Sequence, residues 1–407
     1  MLIASSLVLL MIPSLGLFEA GLLRKKNTVS IFMQIFFGMA LLSVMWFTFG
    51  FSLAFSPGGG LIGNLQWTFL RGIPWDAPLT QYAPTIPGVL FVKFEMMFAV
   101  ITPLLLTGAI AERMKFSAFV LFVAAWSLLI YYPLVHWIWA VGGWLNELGV
   151  KDFAGGIVIH TSAGMGALAA ALVLGRRKDF GPSIMVPHSI PLAVLGSSLL
   201  WLGWFGFNAG SALASGGVAG NTVINTHMAS AVSALIWVGL SWKRTGKPSV
   251  IAAINGAIAG LAGITPASGY VSVESAFIIG IAVGLGSYFG VLLLKDRLKI
   301  DDALDVSSVH GIPGIIGSLA VGIFASLAIN PNGVNGLLYG SPQQLLIQAI
   351  GVGVAAALGF GGTYIIMKVI NRLIGVRVSP KVEEEGLDIA EHAERAYSDD
   401  EDELGKL

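Results

Sequence analysis

Asp152-Phe-Ala-Gly-Gly-Ile-Val-Ile-His160-Thr-Ser-Ala-Gly164 sets a histidine into an otherwise apolar stretch of helix-forming length. Far downstream, Asp305-Val-Ser-Ser-Val-His310-Gly-Ile-Pro-Gly314 repeats the arrangement. In both, an aliphatic residue precedes the histidine, a glycine follows four residues later, and a long uncharged run comes after. An ionisable side chain in such surroundings is costly to bury, so it usually has a partner or a task. Each histidine is the candidate partner of the other.

The surroundings are those of a membrane protein. Of 407 residues, 55% are hydrophobic and 11% charged, against about 25% charged in soluble domains. The 52 glycines suit helices that pack closely in lipid. With 23 basic and 23 acidic residues there is no net charge, and nucleic-acid binding has no electrostatic support. The chain has no cysteine, which excludes disulfides and thiolate chemistry. An apolar run opens at Met1 and continues to about Leu23. No basic region precedes it and it exceeds a signal-peptide core in length, so it reads as the first span.

Apolar stretches of about 20 residues, the length that crosses a bilayer as helix, recur at 1–23, 29–54, 88–111, 116–139, 153–175, 190–211, 220–241, 249–267, 273–294, 305–327 and 344–370. Basic clusters follow every odd-numbered span: Arg24, Lys25 and Lys26; Arg113 and Lys115; Arg176, Arg177 and Lys178; Lys243, Arg244 and Lys247; Lys295, Arg297 and Lys299; and Lys368 to Lys381. The alternate loops hold only Arg71, Lys93 and Lys151. Positive charge marks the cytoplasmic side, which predicts eleven spans, an outer N-terminus and an inner C-terminus. The Gly-, Pro-, Trp- and Thr-rich loop 55–87 reads as an outer cap. Residues 1–375 are then the transmembrane domain and 376–407 an acidic cytoplasmic tail, with one short helix over 387–397 and disorder in the last ten residues.

A weak internal repeat runs through these spans. Phe18-Glu-Ala-Gly21 in span one matches Phe207-Asn-Ala-Gly210 in span six, and His160-x-x-x-Gly164 in span five matches His310-x-x-x-Gly314 in span ten. The offset of five spans is odd, so the two halves cross in opposite directions. That is the inverted-repeat layout of many transporters, with a site near the midplane. The predicted fold class is an all-α polytopic membrane protein with spans 1–5 and 6–10 as inverted repeats and a long eleventh helix.

Asp152 stands at the outer start of span five, where it can cap the helix, shape the field at the outer mouth, or do both. His160 lies about 12 Å deeper at 1.5 Å per residue. His310 enters from the other face behind Asp301, Asp302 and Asp305. A neutral imidazole has one donor and one acceptor nitrogen, so the two can satisfy each other without charge. Two histidines are too few for zinc without a third ligand, and His136 and His227 show no reason to join them. No metal or other cofactor is expected. His188, in the loop before span six, and His392, in the tail, read as solvated. Phe94 and Phe98 are one turn apart in span three, Trp139 ends span four, and Trp201, Trp204, Phe205 and Phe207 crowd span six ahead of Ser211. Some of these rings form an interfacial belt. Others, with a nearby hydroxyl, can cage a small cation.

Several stretches resemble signatures of the ammonium transporter (Amt/Mep/Rh) family, and of its Amt branch in particular. They are Asp152-Phe-Ala-Gly-Gly…His160, Trp204-Phe-Gly-Phe-Asn-Ala-Gly-Ser211, Ala109-Ile-Ala-Glu-Arg113, Asp305…Val309-His310-Gly311 and, in the tail, Glu385-Gly-Leu-Asp-Ile-Ala-Glu-His392. The resemblance covers about residues 5–397. It implies a homotrimer with one pore per subunit in the cell membrane, and ammonium uptake for nitrogen supply. It assigns an outer cation site to Phe98, Trp139 and Ser211, a stacked phenyl gate to Phe98 and Phe207, twin pore histidines to His160 and His310, and a buried outer aspartate to Asp152. Trp204 matches a further pore-lining position. Glu19 departs from the family, which more often has tyrosine or a similar residue there. The expected mechanism is recruitment of ammonium (methylammonium is a candidate too), loss of its proton near the gate, and passage of ammonia, with net proton or charge transfer. The resemblance also implies that the tail docks on the subunit faces and that a PII-type signalling protein plugs the pore from inside. An ammonium sensor and a Rh-like gas channel share this fold and remain alternatives. No nucleophile–base constellation accompanies the histidines, so enzymatic activity is not expected.

Overall fold

The computed structural model describes residues 1–181 and 186–397. The acidic residues Asp399 to Glu403 lie outside the described residues. Ten described helices are long and apolar enough to cross a membrane: Leu2–Leu22, Lys25–Phe55, Gly88–Ile110, Phe116–Leu148, Gly156–Leu174, Ile190–Gly210, Gly217–Thr245, Val273–Arg297, Ser307–Phe324 and Gln343–Ile374. An eleventh apolar helix, Val250–Ile264, falls where the sequence predicts span eight. At 15 residues it is about 22 Å long, short of the roughly 30 Å hydrocarbon core. Irregular backbone completes the crossing, which is tolerated at membrane depth where protein buries it. That irregular end carries Thr265 to the indole of Trp204 and Tyr270 to the lining of a large cavity.

The helices are turned inside out relative to a soluble bundle. The last span exposes Leu346, Ile365 and Leu373 while it buries Gln348 and Thr363. Gln348 Nε2 donates to the carbonyls of Lys151 and Ser318, and Thr363 accepts from Trp126. Polar groups with no water within reach must be satisfied inside the protein, and apolar ones can face lipid. Loop 55–87 forms a small cap with two short antiparallel hairpins, Gly58–Gly59 with Ile62–Gly63 and Pro78–Leu79 with Ala83–Pro87.

Small residues set the close crossings. Along the sixth span, Gly196, Gly203 and Gly206 lie against Phe18, Met11 and Leu7 of the first. One such crossing joins the fifth and tenth spans. A Cβ on Gly164 would stand 2.1 Å from the Gly311 Cα, and one on Gly314 would stand 2.8 Å from the Gly156 carbonyl oxygen. The glycines four residues after each histidine are thus the places where the two half-repeats touch backbone to backbone.

On the face that carries the basic clusters, the charges form a buried network. Glu112 accepts from Arg24 and Arg177, with ion-pair distances of 2.9 and 2.7 Å, and Arg177 also pairs with Asp301 at 2.7 Å. Burial pushes the Glu112 carboxyl up, but the hydrogen bond from Arg24 and the charges of Arg177 and Arg24 overcome it and hold the pKa down from 4.5 to about 2. A depressed carboxyl contributes stability that is fully present above its unfolded pKa and lost as pH falls through the folded one. The window here is about pH 4.5 down to 2. Glu112→Gln should lower stability at pH 7 by about 3 kcal/mol, because it strands the buried Arg177. Thermal unfolding in detergent should show that deficit shrinking as the pH drops from 5 toward 2. A deficit constant over this range would contradict the assignment.

The tail packs on the same face. Asp388 Oδ1 accepts from the Ser30 amide, Asn27 Oδ1 accepts from the Leu387 amide, and Glu391 accepts from the Phe116 amide. Glu383 accepts from the Lys178 amide and pairs with Arg377 at 2.7 Å. The short helix expected over 387–397 spans only Leu387–His392, and a second short helix, Pro380–Glu385, precedes it. The two histidines read as solvated are partly exposed, and each also has a neighbour on this face. His188 lies 3.0 Å from the Tyr397 hydroxyl through Nε2. His392 packs edge-on against Phe116 at 5.3 Å, and burial lowers its pKa.

Candidate functional site

Both histidines stand in π-helical first turns, Gly156–Thr161 and Ser307–Gly311. Such wide turns are rare and frequent at functional sites. An aspartate holds the start of each. Asp152 Oδ1 accepts from the amides of Gly155 and Gly156, and Oδ2 from those of Ile157 and Val158, at 2.7 to 3.0 Å. These are the donors a helix start leaves unpaired. Asp302 Oδ2 accepts from the Ser307 amide at 2.7 Å. Asp152 and Asp302 each precede their histidine by eight residues, so the structural counterpart of Asp152 is Asp302. Asp305, where the downstream repeat begins in the sequence reading, instead pairs with Lys295 at 2.8 Å.

The imidazoles meet at the centre. His160 Nδ1 lies 3.2 Å from His310 Nδ1, with the rings nearly parallel at 22° and 5.3 Å between centroids. That contact requires one nitrogen to donate and the other to accept. Trp204 lies against His160 at 5.5 Å, its indole N–H fixed by Thr265 Oγ1 at 2.9 Å. These side chains, with Phe18, Phe207, Ile159 and Ile258, line a chamber of about 20 Å³. A water-sized molecule needs at least 10–15 Å³ on this measure, so the chamber admits roughly one.

Phe207 closes one end of the chamber. Its ring lies 4.4 Å from that of Phe98, tilted by 43°. The two phenyls are in close contact but not the face-to-face stack that the resemblance implies. Beyond Phe98 opens a cavity of about 430 Å³ that Trp139, Ser211, Asp152, Glu95 and Tyr270 also line. Trp139 meets Phe98 edge-on at 6.2 Å and is held by its N–H on the Asp152 carbonyl at 2.9 Å. The Ser211 hydroxyl donates to the Phe207 carbonyl at 3.0 Å, which leaves its lone pairs free to accept. On the basic face a third cavity of about 900 Å³ is lined by Arg24, Glu112, Arg177, Lys295 and Asp305, among others. Of the eight residues singled out in the sequence, Phe98, Trp139, Asp152 and Ser211 line the large cavity and His160, Trp204, Phe207 and His310 the small chamber.

The remaining histidines are elsewhere. His136 is buried between the carbonyls of Ala54 and Gly59, at 3.0 and 2.8 Å, and serves the outer cap. His227 is exposed on the seventh span, beside Trp201 at 5.3 Å. Sequence reasoning missed Glu95. The signal was available, a carboxylate inside an apolar span three residues before Phe98, on the face that Phe91 and Phe98 share. It took Arg177 as a topological marker, Glu112 as part of a family signature and Asp301 as a residue ahead of His310, whereas the three pair with one another on the basic face.

A family model described as Ammonium Transporter Family matches residues 1–397. Ammonium transporter 1 of Dictyostelium discoideum is 53% identical over 400 residues, which covers 97% of this chain and 86% of that protein. The ammonium transporter of Bacillus subtilis is 43% identical, with 98% of each chain covered. Among solved structures, Saccharomyces cerevisiae Mep2 superposes with a TM-score of 0.87 at 34% identity, covering 93% of this chain and 87% of that one. A structure titled "Sensor Amt Protein" gives 0.87 at 33% identity, with 96% of each chain covered.

Proposed function

The chain belongs to the ammonium transporter family and is a multi-pass membrane protein, and from that premise we propose that it conducts ammonium nitrogen along the path from the outer cavity to the basic face. The observation that carries the reading is the chamber of about 20 Å³ behind a closed pair of phenyl rings. It has room for ammonia but none for a cation with its water shell.

In this mechanism ammonium enters the outer cavity and exchanges part of its hydration for the faces of Phe98 and Trp139 and the free lone pairs of Ser211. Potassium is of similar size but has no proton to donate to Ser211. Past the rings the lining is apolar, and burial favours the neutral amine over its cation. Ammonium gives up its proton at the Phe98–Phe207 contact. Ammonia crosses beside Trp204 and the His160–His310 pair, and the proton follows along the imidazoles, so that transport carries charge. Asp152 acts on the path by fixing the start of the fifth span and, through its carbonyl, the Trp139 ring. We orient the basic face toward the cytoplasm by the distribution of positive charge, with the N-terminus outside and the C-terminus inside. Residues 1–375 form the transport domain and 376–407 its tail. The same reading includes a homotrimer in the cell membrane, methylammonium as an alternative substrate, and a PII-type regulator that engages the basic cavity.

An ammonium jump applied to purified protein on a supported membrane should elicit a current that sodium chloride does not. Uptake without current would sink the charge-carrying mechanism and favour a gas channel. Neither uptake nor current would favour a sensor, a role that the same backbone accommodates.

A further inference from the structure

We infer that Glu95 is the anionic counter-group of the outer cation site, a specificity-determining residue beside Phe98, Trp139 and Ser211. The inference rests on the transport reading above and deepens it. Phe91, Glu95 and Phe98 lie at i, i+4 and i+7 of one helix and line the same cavity, so the carboxyl stands one turn outward from the gate ring. Its Oε2 is buried and has no hydrogen-bond partner among the described residues. The two charged residues that line this cavity are both acidic, Glu95 and Asp152. They are not equivalent. The carboxylate of Asp152 is occupied by four backbone amides and has little left to offer a ligand.

Glu95 is partly exposed to the cavity, but its Oε2 is shut off from solvent and unpartnered, and a small cation in the cavity would supply the missing partner. Inside a membrane span, such groups mark ion and substrate paths. Ammonium answers the need. It supplies the missing charge, and its N–H groups can be shared between Glu95 and Ser211, which line the same cavity, while the aromatic faces cover the rest. The carboxylate raises affinity for any small cation. Ser211 and the rings then decide between ammonium and potassium. No covalent step is involved.

The test is concentration-dependent uptake of ammonium and methylammonium by the full-length protein in vesicles, for wild type, Glu95→Gln and Glu95→Asp. A hydrogen bond to a charged group is worth a factor of about ten or more in affinity. Glu95→Gln should therefore raise the half-saturating concentration at least about tenfold with little change in maximal flux. Glu95→Asp, which keeps the charge, should stay within about threefold of wild type by the same reckoning. A Glu95→Gln variant within twofold of wild type overturns the inference, as do Gln and Asp variants equally impaired, since charge would then not be the cause. The rise in thermal midpoint that ammonium chloride produces over sodium chloride reports binding without flux. If that rise is present in wild type and lost in Glu95→Gln while neither protein moves ammonium, the transport reading fails and the site assignment stands.

Discussion

Replacing His160 with alanine should cut ammonium flux at least about tenfold and lower its selectivity over potassium by a similar factor, each tenfold step corresponding to about 1.4 kcal/mol on a barrier. His160 is 1% exposed and fills the waist of the path, 3.2 Å from His310 and stacked on Trp204. Removing the ring does three things. It enlarges a chamber of about 20 Å³ by most of an imidazole. It takes away the hydrogen-bond partner of His310, leaving a buried polar nitrogen unsatisfied. It breaks the chain along which the proton is proposed to follow ammonia. A wider and wetter chamber admits a cation with some of its water, so potassium gains where ammonium loses. Current recordings in paired ammonium and potassium gradients measure both effects. If His160→Ala keeps full selectivity against potassium, the paired imidazoles are not the barrier to cations.

Gly164→Ala should cost about 3 kcal/mol or more, at the upper end of overpacking penalties. The new methyl would stand 2.1 Å from the Gly311 Cα and 2.3 Å from its amide nitrogen. A flexible side chain could swing aside, but here the obstacle is the backbone of the partner half-repeat. That backbone carries His310 one residue earlier, so relief can come only by separating the two histidines. Loss of stability and loss of flux should therefore appear together. Gly353→Ala in the last span is the control, because nothing among the described residues lies within 4 Å of its added methyl. It should match or slightly exceed wild-type stability, since alanine is the better helix former. Thermal midpoints and membrane yields of the two variants check the contrast. A Gly164→Ala protein with wild-type midpoint and flux would mean that the spans do not cross as described.

Much of this was legible in the chain itself, for identifiable reasons. Hydrocarbon thickness fixes span length, so runs of about 20 apolar residues announce helices. Basic residues after alternate spans then announce the order of crossings. Span eight was legible only as an apolar stretch. Its helix ends at Ile264, just ahead of Pro266, and the irregular backbone beyond is tolerated at membrane depth because protein buries it, a tertiary circumstance that hydropathy does not carry. The histidine pair was legible because an ionisable group in an apolar helix is anomalous, and two anomalies in one register constrain each other. Glu95 was equally anomalous but had no repeat partner to draw attention to it.

By itself, then, the sequence determined the class, the number of spans, the inverted repeat and the twin histidines, since each follows from local periodicity and from the cost of burying charge in lipid. Only the tertiary structure decided which aspartate is the counterpart of Asp152, because Asp302 and Asp305 are both close enough in sequence to cap the helix and only folding sends one to Ser307 and the other to Lys295. Only the structure decided that the phenyl rings meet at a tilt, that Ser211 keeps its lone pairs free, and which tail groups meet the amides of Ser30, Phe116 and Lys178. These are distances between segments remote in sequence, set by glycine-to-glycine backbone crossings whose geometry no single stretch contains.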